Sequence, residues 1–227
     1  MDNKVIYCIP TYKSYDLAYN GIIAALNGSI APDQIIVIDN SGTAAAAQYL
    51  QPLLTLYKNV FVWPQTHNIG VAASWNLFHE TLGIDDIIIA NDDVSVHHDT
   101  IKHLVTTARE TPDQVLFAGS GTSGNAFSLF LLKQAGYKKI GPFDTHFYPA
   151  YFEDNDYDWR ARLLGYQLTL VPEATYDHVG SSTLARYTQA EMDAHHNSFR
   201  RNHSYFMSKW GDEPGKTLYT EPFGGII

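Results

Sequence analysis

Two short apolar runs in this chain end in acids. Ile87-Ile88-Ile89-Ala90 leads into Asn91-Asp92-Asp93, and Ile35-Ile36-Val37-Ile38 leads into Asp39-Asn40. Carboxylates gathered in one place repel each other unless a cation or a hydrogen-bonding ligand joins them. Oxygen ligands at adjacent or alternate positions suit a hard divalent cation that keeps several waters and takes phosphate oxygens. The chemistry on offer is therefore a metal ion that carries a phosphorylated ligand. Both segments also have a plainer reading. Asp39 in Asp39-Asn40-Ser41-Gly42 serves equally well as a turn or cap residue, and Asn91–Asp93 as a polar loop capping the next helix.

A second acidic segment, Glu153-Asp154-Asn155-Asp156-Tyr157-Asp158, follows Tyr151-Phe152 directly. Acids in a first helical turn complement the helix dipole, and Asp156 and Asp158 would suffice for that. Glu153 and Asp154 sit against the two aromatics, where shielding can raise a carboxyl's proton affinity into the working range of a general base. His178 stands between a strand pattern and Val179-Gly180, either as a metal ligand or as an ordinary surface residue. Most of the ten histidines must be bystanders.

The elements that position these residues alternate along the first half. Strands are predicted at Val5–Ile9, Gln34–Ile38, Val60–Trp63 and Ile87–Ala90, and helices at Tyr15–Leu26, Ala44–Tyr57 and Val71–Leu82. Runs of β-branched residues without polar interruption read as strands buried on both faces, and repeated β-α units imply a parallel, doubly wound sheet. Ligands of such sheets bind beyond the carboxyl ends of the strands, where Asp39 and Asn91–Asp93 fall. A helix at Thr100–Glu110 and a strand at Val115–Phe117 come next. Gly119–Gly124 reads as a flexible loop or hairpin connection. It lacks the Gly-Lys-Ser/Thr ending of a phosphate-binding loop. A helix at Asp154–Leu164, a strand at Gln167–Val171 and a long helix around Gln189–Trp210 complete the pattern.

At 227 residues the chain is expected to form one α/β domain, residues 1–118 making a nucleotide-binding half and 119–227 an acceptor-side half with a helical tail. The formal charge of −9 argues against nucleic acid as a partner. Cys8, the single cysteine, excludes an intrachain disulfide and reads as a small buried hydrophobe. No signal-like leader and no membrane-length apolar stretch is present, which predicts a soluble, cytoplasmic protein. The first strand is followed by Pro10-Thr11-Tyr12-Lys13-Ser14, with no glycine, so a dinucleotide-dependent oxidoreductase is disfavoured.

Together these segments resemble the family 2 glycosyltransferases of the GT-A fold, particularly the rhamnosyltransferase-like branch. The resemblance runs along nearly the whole chain and implies a single Rossmann-like domain whose mostly parallel, twisted sheet is flanked by helices. Ile9-Pro10-Thr11-Tyr12 resembles the opening strand and turn over which the nucleotide lies, and Val37–Gly42 the segment whose aspartate, here Asp39, holds base or ribose. Asn68-Ile69-Gly70 with Asn76 resembles a signature that borders the nucleotide. Asn91-Asp92-Asp93 stands in place of the family's Asp-x-Asp metal motif. Its first residue is Asn, which shifts the metal role to Asp93 and leaves Asn91 and Asp92 to the sugar or ribose. Glu153-Asp154-Asn155-Asp156 with Arg160 and Gly165 matches the segment whose second acid is the base, here Asp154. His178 falls at the position of a further metal-binding histidine, and Asn202, Tyr205 and Lys209-Trp210-Gly211 resemble the branch's tail.

The resemblance implies an inverting, metal-dependent transfer of a hexosyl or deoxyhexosyl group from a nucleotide-diphosphate sugar to an acceptor hydroxyl, in polysaccharide or glycan synthesis. Mn²⁺ or Mg²⁺ would be the cofactor, with the imidazole tilting the choice towards Mn²⁺. The acceptor would be a glycan or lipid-linked glycan, and the latter would draw the protein to a membrane surface without a spanning helix. Two other readings stay open at this stage. A sugar nucleotidyltransferase would carry a glycine-rich basic loop after the first strand, and a degenerate nucleotide-sugar-binding protein is favoured only by Asn91.

Overall fold

The structure, a computed structural model, describes residues 4–83, 86–122, 125–180 and 183–225. Strand β1 (Val5–Thr11) shows why the sheet lies between two helical layers. Val5, Tyr7 and Ile9 join one buried cluster, whereas Ile6 and Cys8 join another on the opposite face. Successive strand residues point to opposite faces, so a strand covered on both sides must be apolar throughout. β2 (Gln34–Asp39), β3 (Val60–Pro64) and β4 (Asp86–Ala90) run parallel to it in the order β3-β2-β1-β4. One face is covered by α1 (Tyr15–Leu26), α2 (Ala45–Tyr49), α3 (Gln51–Leu56) and α5 (Thr100–Glu110). The other is covered by α4 (Val71–Leu82), α6 (Gln134–Ile140) and α7 (Glu153–Leu163).

Beyond β4 the pattern changes. β7 (Leu129–Leu132) lies antiparallel between β4 and β6 (Leu116–Gly121), and β8 (Thr169–His178) runs parallel to β6. The three-residue β5 (Val94–Val96) closes the edge antiparallel to β8, pairing Val94 with His178. That short ladder brings the chain after β4 alongside the end of β8. The long α8 (Gln189–Trp210) starts in a capping box between Thr188 and Glu191 and ends at Gly211, whose φ of 85° suits glycine. Phe206 and Trp210 of α8 pack on Phe147 and Phe152 as a third, smaller cluster. Among the described residues no helix is long and apolar enough to cross a membrane.

Two local expectations are corrected. The helix predicted over Ala44–Tyr57 is two helices broken at Leu50, because Pro52 occupies the first turn of α3 and has no N–H to continue a helix through it. Leu50 and Leu53 are both buried, so the apolar stripe crosses the break and imitates one helix. Gly119 and Gly121 belong to strand β6 rather than to a flexible loop. The Tyr176 ring lies so close that a Cβ on Gly121 would be 2.3 Å from it. Ser123 and Gly124, the end of that predicted loop, lie outside the described residues.

Candidate active site

A cleft of about 720 Å³ opens at the carboxyl ends of β1 and β4 and is walled on its far side by the start of α7 and by α8. Pro10, Thr11 and Tyr12 form one wall, and Asn68 with Gly70 the adjoining one. Asn91, Asp92 and Asp93 line it together with His178 and Asp154. Ten of the residues singled out in the sequence thus line one space. They come from five separate stretches of chain.

The registers of the sheet explain this arrangement. β1 and β4 are parallel neighbours, so the chain leaving β4 passes under the turn that follows β1. Thr11 Oγ1 donates to Asp92 Oδ2 at 2.8 Å, and the Tyr12 N–H donates to the same oxygen at 3.3 Å. Burial pushes the Asp92 carboxyl up to about 7; the Thr11 hydroxyl opposes the rise and the charge of Asp93 adds to it. One residue on, the β5–β8 ladder sets Asp93 Oδ1 2.9 Å from His178 Nε2. These side chains are 8% and 11% exposed, and Ser128 Oγ lies 3.4 Å from His178 Nδ1. Carboxylate oxygen and imidazole nitrogen are ligands that a divalent ion of the first transition row or Mg²⁺ accepts, imidazole suiting the former. Among the described residues no cluster of three or more His, Cys, Asp or Glu side chains could hold a metal.

Asp154 stands in the first turn of α7. The Asn155 N–H donates to its Oδ1 at 2.8 Å and Asn125 Nδ2 to its Oδ2 at 3.1 Å, which orients the carboxyl. Burial holds Asp154 above the ordinary carboxylate range against these two donors. The helix enters through Tyr151 and Phe152, both left-handed at φ 80° and 74°, a conformation that side-chain-bearing residues adopt at a cost. This turn is held from behind. Fully buried Asn202 of α8 donates to the carbonyls of Ala150 (2.9 Å) and Tyr148 (3.3 Å), and Arg201 donates to Tyr148 as well. Gly70 meets the same segment from α4. Its φ is 83°, and a Cβ there would lie 2.9 Å from the Tyr148 ring and 3.0 Å from the Pro149 carbonyl.

With this geometry in view, the comparisons with known proteins are decisive. The model of the family described as Glycosyl transferase family 2 matches residues 7–166, more than half of the chain. The chain belongs to glycosyl transferase family 2. A galactofuranosyl glycosyltransferase of Leishmania donovani is 32% identical over 78 residues, which are 34% of this chain and 17% of that protein. Among solved structures, the mannosyltransferase PcManGT of Pyrobaculum calidifontis, in complex with GDP-Man and Mn²⁺, matches with a TM-score of 0.66 at 13% identity. That match covers 78% of this chain and 57% of the other. S. aureus TarS 1-349 matches with a TM-score of 0.63 at 14% identity, over 89% of this chain and 72% of that one. The chain therefore spans a small part of the curated relative and just over half of the first structure. The shared fold is that of a single GT-A-type α/β domain.

Two residues expected to meet the nucleotide in this family 2 chain do not line the cleft. Asp39 is fully buried, and its carboxylate accepts from the N–H groups of Ser41 (2.9 Å) and Ala46 (2.8 Å), so it caps the start of α2. Asn76 faces the core, where its amide donates to the Phe143 carbonyl at 2.9 Å and accepts from the Phe143 N–H at 2.7 Å. Its work is to tie the turn before residue 144 to α4. The sequence reading also passed over two residues. Asn40 lines the cleft, donates to Ser74 Oγ and accepts from the Ile69 N–H, which fixes the Asn68–Gly70 loop. The other is Asn125, which holds Asp154, while Asn202, matched in the sequence only as part of the tail, holds the turn that carries it.

Proposed function

We propose that this family 2 chain transfers a sugar, with inversion, from a nucleoside-diphosphate donor to an acceptor hydroxyl, and that a divalent ion carries the donor's diphosphate. The observation behind this reading is the charge of the cleft. Its walls hold Asp92, Asp93, Glu153 and Asp154 and, among the described residues, neither lysine nor arginine. A diphosphate entering such a space is repelled unless a cation enters with it. Asp93 and His178 would hold that ion, with phosphate oxygens and water completing its shell. When bound, the ion neutralises the charge that gathers on the departing diphosphate, an effect worth several kcal/mol. The imidazole favours Mn²⁺ over Mg²⁺, and GDP-Man with Mn²⁺ is what the Pyrobaculum structure holds.

The remaining roles follow from position. Pro10, Thr11 and Tyr12 with Asn68 and Gly70 border the nucleotide, and Asn91 and Asp92 the ribose or donor sugar. Asp154 takes the proton of the acceptor hydroxyl. Its orientation by Asn125 and the Asn155 N–H leaves it a base aimed into the cleft, and its raised proton affinity matches that task. A glycan or lipid-linked glycan is the acceptor class, within polysaccharide or glycan synthesis. The likeness of the tail residues Asn202, Tyr205, Lys209 and Trp210 to the rhamnosyltransferase-like branch is what supports that branch.

The test is a panel of GDP-mannose, UDP-galactose, UDP-glucose and dTDP-rhamnose, each with and without Mn²⁺. At a hundred times its dissociation constant, a ligand of the folded state adds about 2.7 kcal/mol. At least one donor is expected to raise the melting temperature only with metal, and to release nucleoside diphosphate slowly to water. A panel in which no donor shifts melting and none is hydrolysed overturns the proposal.

A further inference from the structure

Strand β3 ends the sheet. β2 is bonded to one side of it, and among the described residues no strand lies on the other. The bonds that flank β3 tell which backbone groups face outwards. The Ile35 N–H donates to the Asn59 carbonyl, and the Gln65 N–H donates to the Asp39 carbonyl. Alternate residues of a strand turn their N–H and C=O groups to the same side. Asn59, Phe61, Trp63 and Gln65 therefore bond towards β2, and Val60, Val62 and Pro64 point their backbone groups away from the sheet. The Val60 N–H donates to the Tyr57 carbonyl, and proline has no N–H. At the middle of the edge Val62 thus presents a donor and an acceptor side by side, a template for another strand.

Sheet edges are ordinarily protected by charged side chains, lysine above all. β3, Val60-Phe61-Val62-Trp63-Pro64, carries none. Between Asp39 and Glu80 the only formally charged residue is Lys58, in a chain of which 17% is charged and whose net charge is −9. The exposed side chains around the edge are apolar instead. Phe61 is 40% exposed, and Leu56 and Tyr49, on the helices α3 and α2 that pack on β3, are 71% and 49% exposed. Aromatic side chains with few charges are the composition of a protein interface core. An anionic lipid surface or a nucleic acid would need a cluster of lysines and arginines, which this side lacks.

We propose that β3 is a self-association edge, through which two copies of this chain pair antiparallel about Val62 and join their sheets. Copies of an acidic chain repel each other over most of their surface, and this side adds nothing to that repulsion. A two-fold pairing about Val62 is self-complementary. Each Val62 N–H donates to the Val62 carbonyl of the other copy, the closely spaced bonded pair of an antiparallel ladder. One position to either side, Phe61 of one copy stands opposite Trp63 of the other on the same face, an aromatic cross-strand pair made twice. Pro64 lies opposite Val60, whose N–H is already taken, so the ladder ends there.

An edge this short belongs with the small, transient interfaces, so sedimentation velocity on the full chain from about 1 to 100 μM is the test. Wild type should move with concentration from 25.4 kDa towards twice that mass. Added salt should leave the dimer as tight or tighter, because it screens the net charge and no ion pair crosses the edge. Val62→Pro removes the N–H at the two-fold axis, and an outward-facing edge position tolerates proline. Phe61→Lys supplies the missing protective charge. Each should weaken the dimer by about tenfold or more, with the melting curve of dilute protein unchanged. Leu218→Lys, at a 68% exposed position in the segment after α8, should leave the dimer as it is. The proposal is overturned if wild type stays monomeric throughout, or if salt dissociates the dimer. It is equally overturned if Phe61→Lys, or a folded Val62→Pro, dimerises like wild type, or if Leu218→Lys breaks the dimer.

Discussion

Replacing Asp154 by Asn tests the proposed base with the smallest change in shape. A positioned carboxylate that takes a hydroxyl proton contributes about 10²- to 10⁴-fold, so Asp154→Asn should slow transfer by that factor, about 2.7 to 5.5 kcal/mol of activation free energy. The fold should register far less. Asp154 stands in the first turn of α7, where a negative charge contributes about 0.3–1 kcal/mol through the helix dipole. An amide oxygen accepts from the Asn155 N–H as a carboxylate does, and the substitution relieves the repulsion of Glu153. In a chain of this size 1 kcal/mol moves the melting temperature by about 2–4 °C. The assay is initial rates of transfer and of donor hydrolysis on one preparation, with melting curves beside them. Because burial raises the Asp154 carboxyl, wild-type kcat/KM should fall with pH through a value above the ordinary carboxylate range, and the Asn variant should lack that limb. Normal turnover in Asp154→Asn refutes the assignment. So does a rate loss matched by a drop in melting temperature too large for the loss of one helix-dipole charge.

Asp93→Ala should abolish metal-dependent donor binding while sparing the fold, read by calorimetry with and without Mn²⁺; unchanged affinity dismisses the metal site. Gly70→Ala meets both an unfavourable φ and the Tyr148–Pro149 segment, so it should cost about 2 kcal/mol or more and shift the midpoint of urea unfolding. Fully buried His79 has its imidazole lowered from 6.5 to about 4 by burial, with Gln134 as partner. Its neutral form contributes stability that is complete above pH 6.5 and lost as pH falls towards 4, an interval worth about 3 kcal/mol, and His79→Phe should flatten stability across that window.

The central strands were legible because a strand covered on both faces has no polar positions to confuse the reading. Helices α1, α4, α5 and α8 were legible to the residue because their apolar periodicity ends at turn-forming residues. The antiparallel part of the sheet was not. β5 is three residues long, too short for any period to show, and yet its ladder with β8 sets Asp93 against His178. The resemblance supplied that pairing where pattern could not. Asp39 and Asn40 differ by one position, and at the end of a strand one position decides between cap and cleft. Asn76 carried a readable signal. Together with Ala72, Trp75 and His79 it falls on the buried stripe of α4, where a polar side chain must find an internal partner rather than a ligand. Nothing in Gly124-Asn125-Ala126 marks Asn125, since its partner lies 29 residues away.

The α8 helix explains how the strained entry to α7 persists. Two side-chain-bearing residues in the left-handed region cost about 1–3 kcal/mol each. The Phe152 ring is buried against Phe206 and Trp210, which stabilises by about 1.5–3 kcal/mol, and Asn202 satisfies the carbonyls the turn exposes. The C-terminal end of α8 is tied down separately. Buried Lys209 bridges Asp144 at 2.7 Å and Asp156 at 2.6 Å, Trp210 Nε1 donates to Asp156 at 2.9 Å, and Arg160 balances the second carboxylate charge at 2.9 Å. A neutral, fully bonded cluster of this kind fixes geometry more than it adds stability. It fixes α8 to the helix whose first turn presents Glu153 and Asp154. The polar cluster and the aromatic one thus hold the same two carboxyls from the C-terminal half of α8, and loosening either should move the base before it unfolds the sheet.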